Sequence, residues 1–209
     1  MAAISEVVDR TKAFFHHNKE VFDHDKVQVI FVLGGPGVAG DLLRAEQHRE
    51  GSEFGDLIRQ QIKEGKIVPS EITVNLLRNA MKAEIEKRHE ETENGWGNAK
   101  GRFLVDGFPR QMDQALIFDE TVCQSKFVLF FTTTEDVLLQ RLLERGKTSG
   151  REDDNVESIK KRFRTFVETS MPVVDYYKQH NKVVEIDATK SIDEVYQQTS
   201  SAVRNRLSI

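Results

Sequence analysis

A phosphate cradle that stops short of its lysine is the most chemically pointed feature of this chain. Gly34-Gly35-Pro36-Gly37-Val38-Ala39-Gly40 follows the apolar run at 27–33. Gly35 and Gly40 have the spacing of the pattern GxxxxGK[ST]. In that pattern backbone N–H groups wrap phosphate, the lysine reaches the outer phosphates and the hydroxyl holds Mg2+. Here Asp41 and Leu42 stand where Lys and Ser/Thr belong. A carboxylate at that point repels phosphate, so a donor-phosphate site is begun and then left without its main cation.

Two further groups of residues suit phosphate chemistry. In Phe103-Leu104-Val105-Asp106-Gly107-Phe108-Pro109-Arg110 an apolar run ends on a carboxylate and a tight turn. Asp106 is expected at the C-terminal end of a strand, where open α/β sheets bind ligands. A carboxylate there can hold a water of Mg2+. Gly107 and Pro109 shape a turn that projects Arg110, whose guanidinium can grip phosphate oxygens in pairs. The second group is Arg141, Arg145, Arg151 and Arg162. Arg141 and Arg145 share a helix face by their i, i+4 spacing. Gly146 is read as the end of that helix, and Gly150 loosens a short loop bearing Arg151. Arginines around a movable loop suit closure over a phosphoryl group, where charge has to be stabilised and water kept out. Leu138, Leu139, Leu142 and Leu143 on the same helix are read as core.

These groups need elements to hold them. Apolar runs at 27–33, 102–105, 127–131 and 182–186 read as buried parallel strands, from their β-branched and aromatic content. Helical patterns fill the intervals at 42–64, 70–90, 111–120, 134–144, 156–179 and 192–207. The alternation predicts an α/β fold, a parallel sheet flanked by helices. Residues 84–100 are strongly polar and read as a helix extension followed by a solvated insertion, with Trp96 partly packed at its tip. Residues 1–26 read as an N-terminal extension, in which Val7, Val8, Phe14 and Phe15 lie among charges, and 27–209 as one domain.

Bulk properties narrow the partners. The chain has 209 residues, of which 38% are apolar and 31% charged, enough for one domain with its own core. A formal net charge of −4 argues against a nucleic-acid polymer as partner. No run of about eighteen apolar residues is present to span a membrane. Cys123 is the single cysteine, so no internal disulfide can form, which suits a reducing compartment. The first 26 residues show no apolar secretory core, and their acidic members argue against a transit peptide.

Arg145-Gly146-Lys147-Thr148-Ser149-Gly150-Arg151-Glu152-Asp153-Asp154-Asn155 resembles the UMP/CMP kinase branch of the adenylate kinase-like family, fungal uridylate kinases included. Gly107-Phe108-Pro109-Arg110, Gly65-Lys66-Ile67-Val68-Pro69 and Asp41-Leu42-Leu43-Arg44 carry the same resemblance. It extends from Ala39 to the C-terminus and through the first strand and residues 34–37. It implies the P-loop nucleoside monophosphate kinase fold, with a monophosphate-binding region at about 39–101 and a short lid at 144–154, without metal-binding cysteines. It also implies that about twenty residues, including a helix and a second strand, are replaced here by Val38 alone, short of the dozen or more that a parallel crossover needs. The expected fold therefore lacks the first helix and an edge strand.

The resemblance implies roles position by position. Arg44 and Arg110 clamp the phosphate of the monophosphate. Lys66, Ile67 and Val68 line its base and ribose, with Gly107, Phe108 and Pro109 in the adjoining turn, and Gln114 reads the base. Gly34, Gly35, Pro36, Gly37, Arg141, Arg145 and Lys190 fall on the ATP side, Arg141 stacking on adenine. Arg145, Arg151 and Arg162 serve phosphoryl transfer, with Arg151 and Arg162 also touching the monophosphate. Asp106 completes the catalytic set, and Mg2+ accompanies ATP. The implied reaction is reversible phosphoryl transfer from Mg-ATP to UMP or CMP in pyrimidine nucleotide synthesis, with AMP as a further acceptor to be told apart. A monomer in the cytoplasm, with the nucleus as a second location, is implied with it. With the donor loop incomplete, impaired activity is expected. Three other readings stay open: a nucleotide-binding pseudoenzyme, a non-functional shortened product, and an adenylate kinase with a short lid.

Overall fold

The computed structural model describes residues 22–34, 41–64, 66–92, 95–149 and 155–208. Its sheet is formed by β1 (Val27–Gly34), β2 (Gly101–Asp106), β3 (Phe127–Thr132) and β4 (Val183–Asp187). These are the four runs expected from sequence, shifted by a residue or two at their ends. Among the described residues the strand order is β2-β1-β3-β4, and every neighbouring pair is parallel. The α/β class and the parallel sheet are as expected. Among these four, β1 lies inside, while β2 and β4 are the outer strands.

Alternation along β1 divides the core. Val27, Val29, Phe31 and Leu33 join one cluster and Ile30 another. Phe31 is fully buried, with Phe108, Phe118 and Tyr177 edge-on around it at ring centroid distances of 5.5, 5.2 and 6.0 Å. α4 (Met112–Thr121) and α7 (Met171–Gln179) supply Phe118 and Tyr177. On the other face Ile30, Phe127, Leu129 and Ile186 pack against Val195, Val203 and Leu207 of α8 (Ile192–Leu207). A reciprocal Ser191–Glu194 capping box starts α8. Toward β2 this face is bare among the described residues, and Leu104 there is 65% exposed.

A buried polar group ties α4 to α7. The Asp119 carboxylate accepts the Tyr177 hydroxyl at 2.7 Å and the Ser125 N–H at 2.9 Å. Burial pushes the Asp119 carboxyl above its usual range, and these hydrogen bonds oppose that rise.

The connection from β1 to β2 holds α1 (Asp41–His48), α2 (Gly55–Glu64) and α3 (Ser70–Lys87). The single helix expected at 42–64 is thus two, and the break has a cause. Glu46, buried, accepts Arg49 Nε and Nη2 at 2.8 and 2.7 Å and Ser52 Oγ at 2.6 Å. Ser52 Oγ in turn accepts the Phe54 N–H at 3.1 Å. The side chain closes the turn on itself, and the helical period cannot reveal that. The hydrogen bonds from Arg49 hold the Glu46 carboxyl below its usual value, against the opposing effect of burial. Because the folded-state value is depressed, the stabilisation is present above the unfolded value near 4.5 and is lost as pH falls through the folded one. Glu46→Gln should therefore lower the melting temperature at pH 7 and flatten its fall between pH 5 and 3. Thermal melts of both chains across that range check it, and parallel curves would refute it.

Two other boundaries are corrected. α5 (Glu135–Ser149) runs through Gly146 instead of ending there. A glycine permits a helix end but inside a helix costs only about 1 kcal/mol. The 156–179 segment is interrupted. α6 (Val156–Thr165) passes into a π turn at Phe166–Ser170 before α7 begins. Pro172 has no N–H to give and its ring crowds the carbonyl four residues back, so the register slips there. Trp96 is half-buried as expected, edge-on to Phe103 at 5.4 Å with the Arg88 guanidinium 4.8 Å from its ring.

Candidate active site

β2 delivers the strongest motif to the C-terminal edge of the sheet. Gly107, at φ +67°, makes the turn after Asp106, and its N–H donates to Val32 O at 2.8 Å. Phe108 then plugs the core beside Phe31, fixing where Arg110 emerges. The Arg110 N–H donates to Gln114 Oε1 at 2.8 Å, its carbonyl accepts Ser170 Oγ at 2.9 Å, and its Nε donates to Gly107 O at 3.1 Å. Two of these bonds hold the Arg110 main chain, and the third holds its guanidinium against the turn. A second brace joins the starts of α3 and α4: Ser70 Oγ donates to Asp113 Oδ2 at 2.8 Å, and Gln111 Nε2 donates to Ser70 Oγ at 2.8 Å.

Arg110 borders a cavity of about 310 Å³. Lys66, Ile67, Val68, Gly107, Phe108 and Gln114, expected at the monophosphate, line it as well, and so does Asp106, expected in the catalytic set. The sequence thus named eight members of one cavity from three separate segments. Arg44 and Pro109 are not among the lining residues, although Leu42 and Leu43, just before Arg44 on α1, are. Gln114 is buried and its carbonyl oxygen is taken by Arg110, so its Nε2 donors are what it has left to offer a ligand. Thr73, Leu76, Leu77, Ala80 and Met81 of α3 were not anticipated. Their period announced a helix, but which strand that helix faces is a tertiary fact. Ser170 was also missed, since it lies 60 residues from the carbonyl it holds.

The residues expected on the donor side form a different group. Arg141 Nη1 donates to Ala188 O at 2.6 Å, which binds α5 to the loop after β4, two residues before Lys190. Arg145 lies one turn further on α5, and Arg162 lies on α6. None of these, nor Gly34 at the end of β1, lines the cavity. Gly35, Pro36, Gly37 and Arg151 lie outside the described residues, as do 150–154 of the expected lid. Among the described residues no group of three His, Cys, Asp or Glu could hold a metal ion. Asp106 offers a single hard carboxylate beside Arg110, a donor suited to a water of Mg2+ but not to a full coordination shell.

The family model described as adenylate kinase matches residues 37–182. A UMP-CMP kinase of Lentinula edodes is 56% identical over 212 positions, covering 92% of both chains. A uridylate kinase of Saccharomyces cerevisiae is 50% identical, covering 91% of this chain and 97% of its own. A UMP-CMP kinase of Danio rerio is 46% identical, covering 82% and 94%. The Lentinula alignment spans 212 positions but draws on only 92% of the 209 residues here, so about twenty of its positions have no counterpart in this chain.

Proposed function

The chain belongs to the adenylate kinase family, and from that premise we propose that it binds UMP or CMP as phosphoryl acceptor, with Mg-ATP as donor. The observation that carries this reading is Arg110, fixed by Gln114, Ser170 and Gly107 at the rim of an apolar cavity. Arg110 takes the acceptor phosphate, assisted by Arg44. The base lies against Ile67, Val68 and Phe108, with Gln114 Nε2 donating to a ring oxygen or nitrogen. Arg145, Arg151 and Arg162 spread the charge of the moving phosphoryl group. Catalysis of this kind is positioning and charge stabilisation, with no covalent enzyme intermediate. Mg2+ bound with ATP would neutralise phosphate charge, and Asp106 is the residue here that would hold one of its waters. The protein works as a cytoplasmic monomer, with the nucleus as a second location.

The donor half is the weak one. Asp41 and Leu42 occupy the Lys and Ser/Thr positions, and the cavity contains acceptor residues but none of the described donor residues. That favours a second reading for this chain, a monophosphate-binding protein with little turnover. Calorimetric titration with UMP, CMP and AMP tests the shared part of both. Saturable UMP or CMP binding is expected. Arg110→Ala should weaken it roughly 10- to 100-fold, because hydrogen bonds to charged groups contribute about 1.5–3 kcal/mol. Equal affinity in the two chains would overturn the assignment of Arg110, and preference for AMP would favour an adenylate kinase with a short lid.

A further inference from the structure

We propose that Trp96 is a positioning residue for acceptor selectivity. Wedged between the end of α3 and β2, it sets how far apart two walls of the cavity stand, at a width that admits a pyrimidine and turns away a purine. The inference rests on the acceptor reading above and adds to it a residue outside the cavity, since Trp96 is not among the lining residues. α3 lines the cavity from Thr73 to Glu84, about 16 Å of helix at 1.5 Å per residue, and β2 faces it from Phe103 to Asp106. Two braces hold α3. At its start Ser70 is bonded to Asp113 and Gln111, which ties it to α4. At its other end the tie is to β2, and it is aromatic. The indole of Trp96 meets Phe103 edge-on at 5.4 Å, and Phe103 is a lining residue. The Arg88 guanidinium lies 4.8 Å from the centre of the same indole, and Arg88 is the residue that caps α3. Arg88 Nε donates to Glu84 Oε2 at 3.0 Å, and Glu84 is a lining residue too. One indole thus joins both walls.

The turn that carries Trp96 is shaped for this contact. The Lys100 N–H donates to Gly97 O at 2.9 Å, and between them Asn98 and Ala99 stand at φ +50° and +61°. Two consecutive non-glycine residues in the left-handed region are uncommon and persist only where their surroundings fix them. A Cβ on Gly101 would lie 2.8 Å from Phe103 Cε2 and 3.1 Å from Trp96 Cζ3, so the missing side chain is what lets the two rings meet. Packed walls yield little, so their separation limits the planar base that fits between them. Without the indole, Phe103 and the end of α3 face a void and can relax into it. The cavity then widens toward the size of a fused ring pair.

The full chain, Trp96→Ala, Trp96→Phe and Arg88→Ala would each be titrated with UMP and AMP by calorimetry, with circular dichroism to confirm the fold. The unaltered chain is expected to bind UMP more tightly than AMP. In Trp96→Ala the ratio of AMP to UMP affinity should rise about 10-fold or more, the discrimination that a small change in pocket size provides. Trp96→Phe keeps a ring for Phe103 and Arg88 to meet, and should bring the ratio back to within about 3-fold of the unaltered chain. Arg88→Ala removes the hold of α3 on the indole and should move the ratio the same way, by about 3-fold. A Trp96→Ala chain that loses UMP and AMP affinity in equal proportion, or loses neither, would overturn the proposal, because a merely structural residue behaves so. A Trp96→Phe ratio no closer to the unaltered chain than that of Trp96→Ala would also overturn it. Should Trp96→Ala not fold, an unchanged ratio in Arg88→Ala would do the same. In each of these cases the unaltered chain still binds UMP. An unaltered chain that binds no monophosphate, or prefers AMP, would instead overturn the acceptor reading, and this inference with it.

Discussion

Phe31→Ala lowers the free energy of unfolding by about 3–5 kcal/mol, the usual cost of emptying a buried phenylalanine site. Phe31 is the point where fold and site meet. Its ring is fully buried on the central strand and touches Phe108 of the turn, Phe118 of α4 and Tyr177 of α7. Edge-on aromatic pairs add about 0.5–1.5 kcal/mol beyond their buried area, and three would be lost together. Against a typical total of about 5–15 kcal/mol, the variant would stand close to its unfolding midpoint in modest denaturant. Loss of support under Phe108 also frees the turn that aims Arg110, so UMP affinity should fall in the fraction that remains folded. Urea titration checks the first effect as a lower midpoint at unchanged slope. Leu104→Ala is the control: that side chain is 65% exposed on a bare stretch of sheet, and exposed substitutions normally stay within about 0.5 kcal/mol. A Phe31→Ala loss no greater than the control's would mean that the ring cluster contributes little.

How far the sequence revealed all this depended on the range of the interactions. Strands announced themselves because apolar, β-branched runs have few other uses, and all four were found. Asp106-Gly107-Phe108-Pro109-Arg110 was legible because its members are adjacent and a turn fixes their mutual geometry. The break between α1 and α2 was not legible, because it rests on Glu46 reaching Arg49 and Ser52, a choice of side-chain rotamer that periodicity does not encode. Nor was the brace on Arg110 from Ser170, which exists only once α7 has packed. A four-stranded sheet short of an edge strand was expected in outline from the missing segment, and the described residues form four strands.

Restoring the missing segment is expected to have the largest effect of all. A chain in which Val38 is replaced by the corresponding residues of the Lentinula relative should transfer phosphate from Mg-ATP to UMP at least about 10²–10³ times faster than the chain as it stands, the factor associated with a single preorganised donor. More than one donor is at stake. Gly35 and Gly40 keep the outline of the cradle, but Asp41 and Leu42 replace the lysine and the hydroxyl. Removal of one such group costs roughly 2.7–4 kcal/mol in the transition state, and the lysine, the hydroxyl and several N–H groups are absent together. Effects within one site do not add, so about 10²–10³ is a floor. The cavity proposed for the acceptor is bordered by α1 to α4 and β2, and Lys66, Ile67, Val68, Arg110 and Gln114 already line it. UMP affinity should therefore change little while turnover rises, a separation that a general folding defect would not produce. Coupled assays with UMP, CMP and AMP on both chains read it directly. Turnover in the restored chain alone would place the lesion at residues 37–41. Comparable turnover in both would mean that Arg44, Arg110 and the arginines of α5 and α6 suffice without the lysine, or that another cation replaces it, and the donor site would then be no lesion at all.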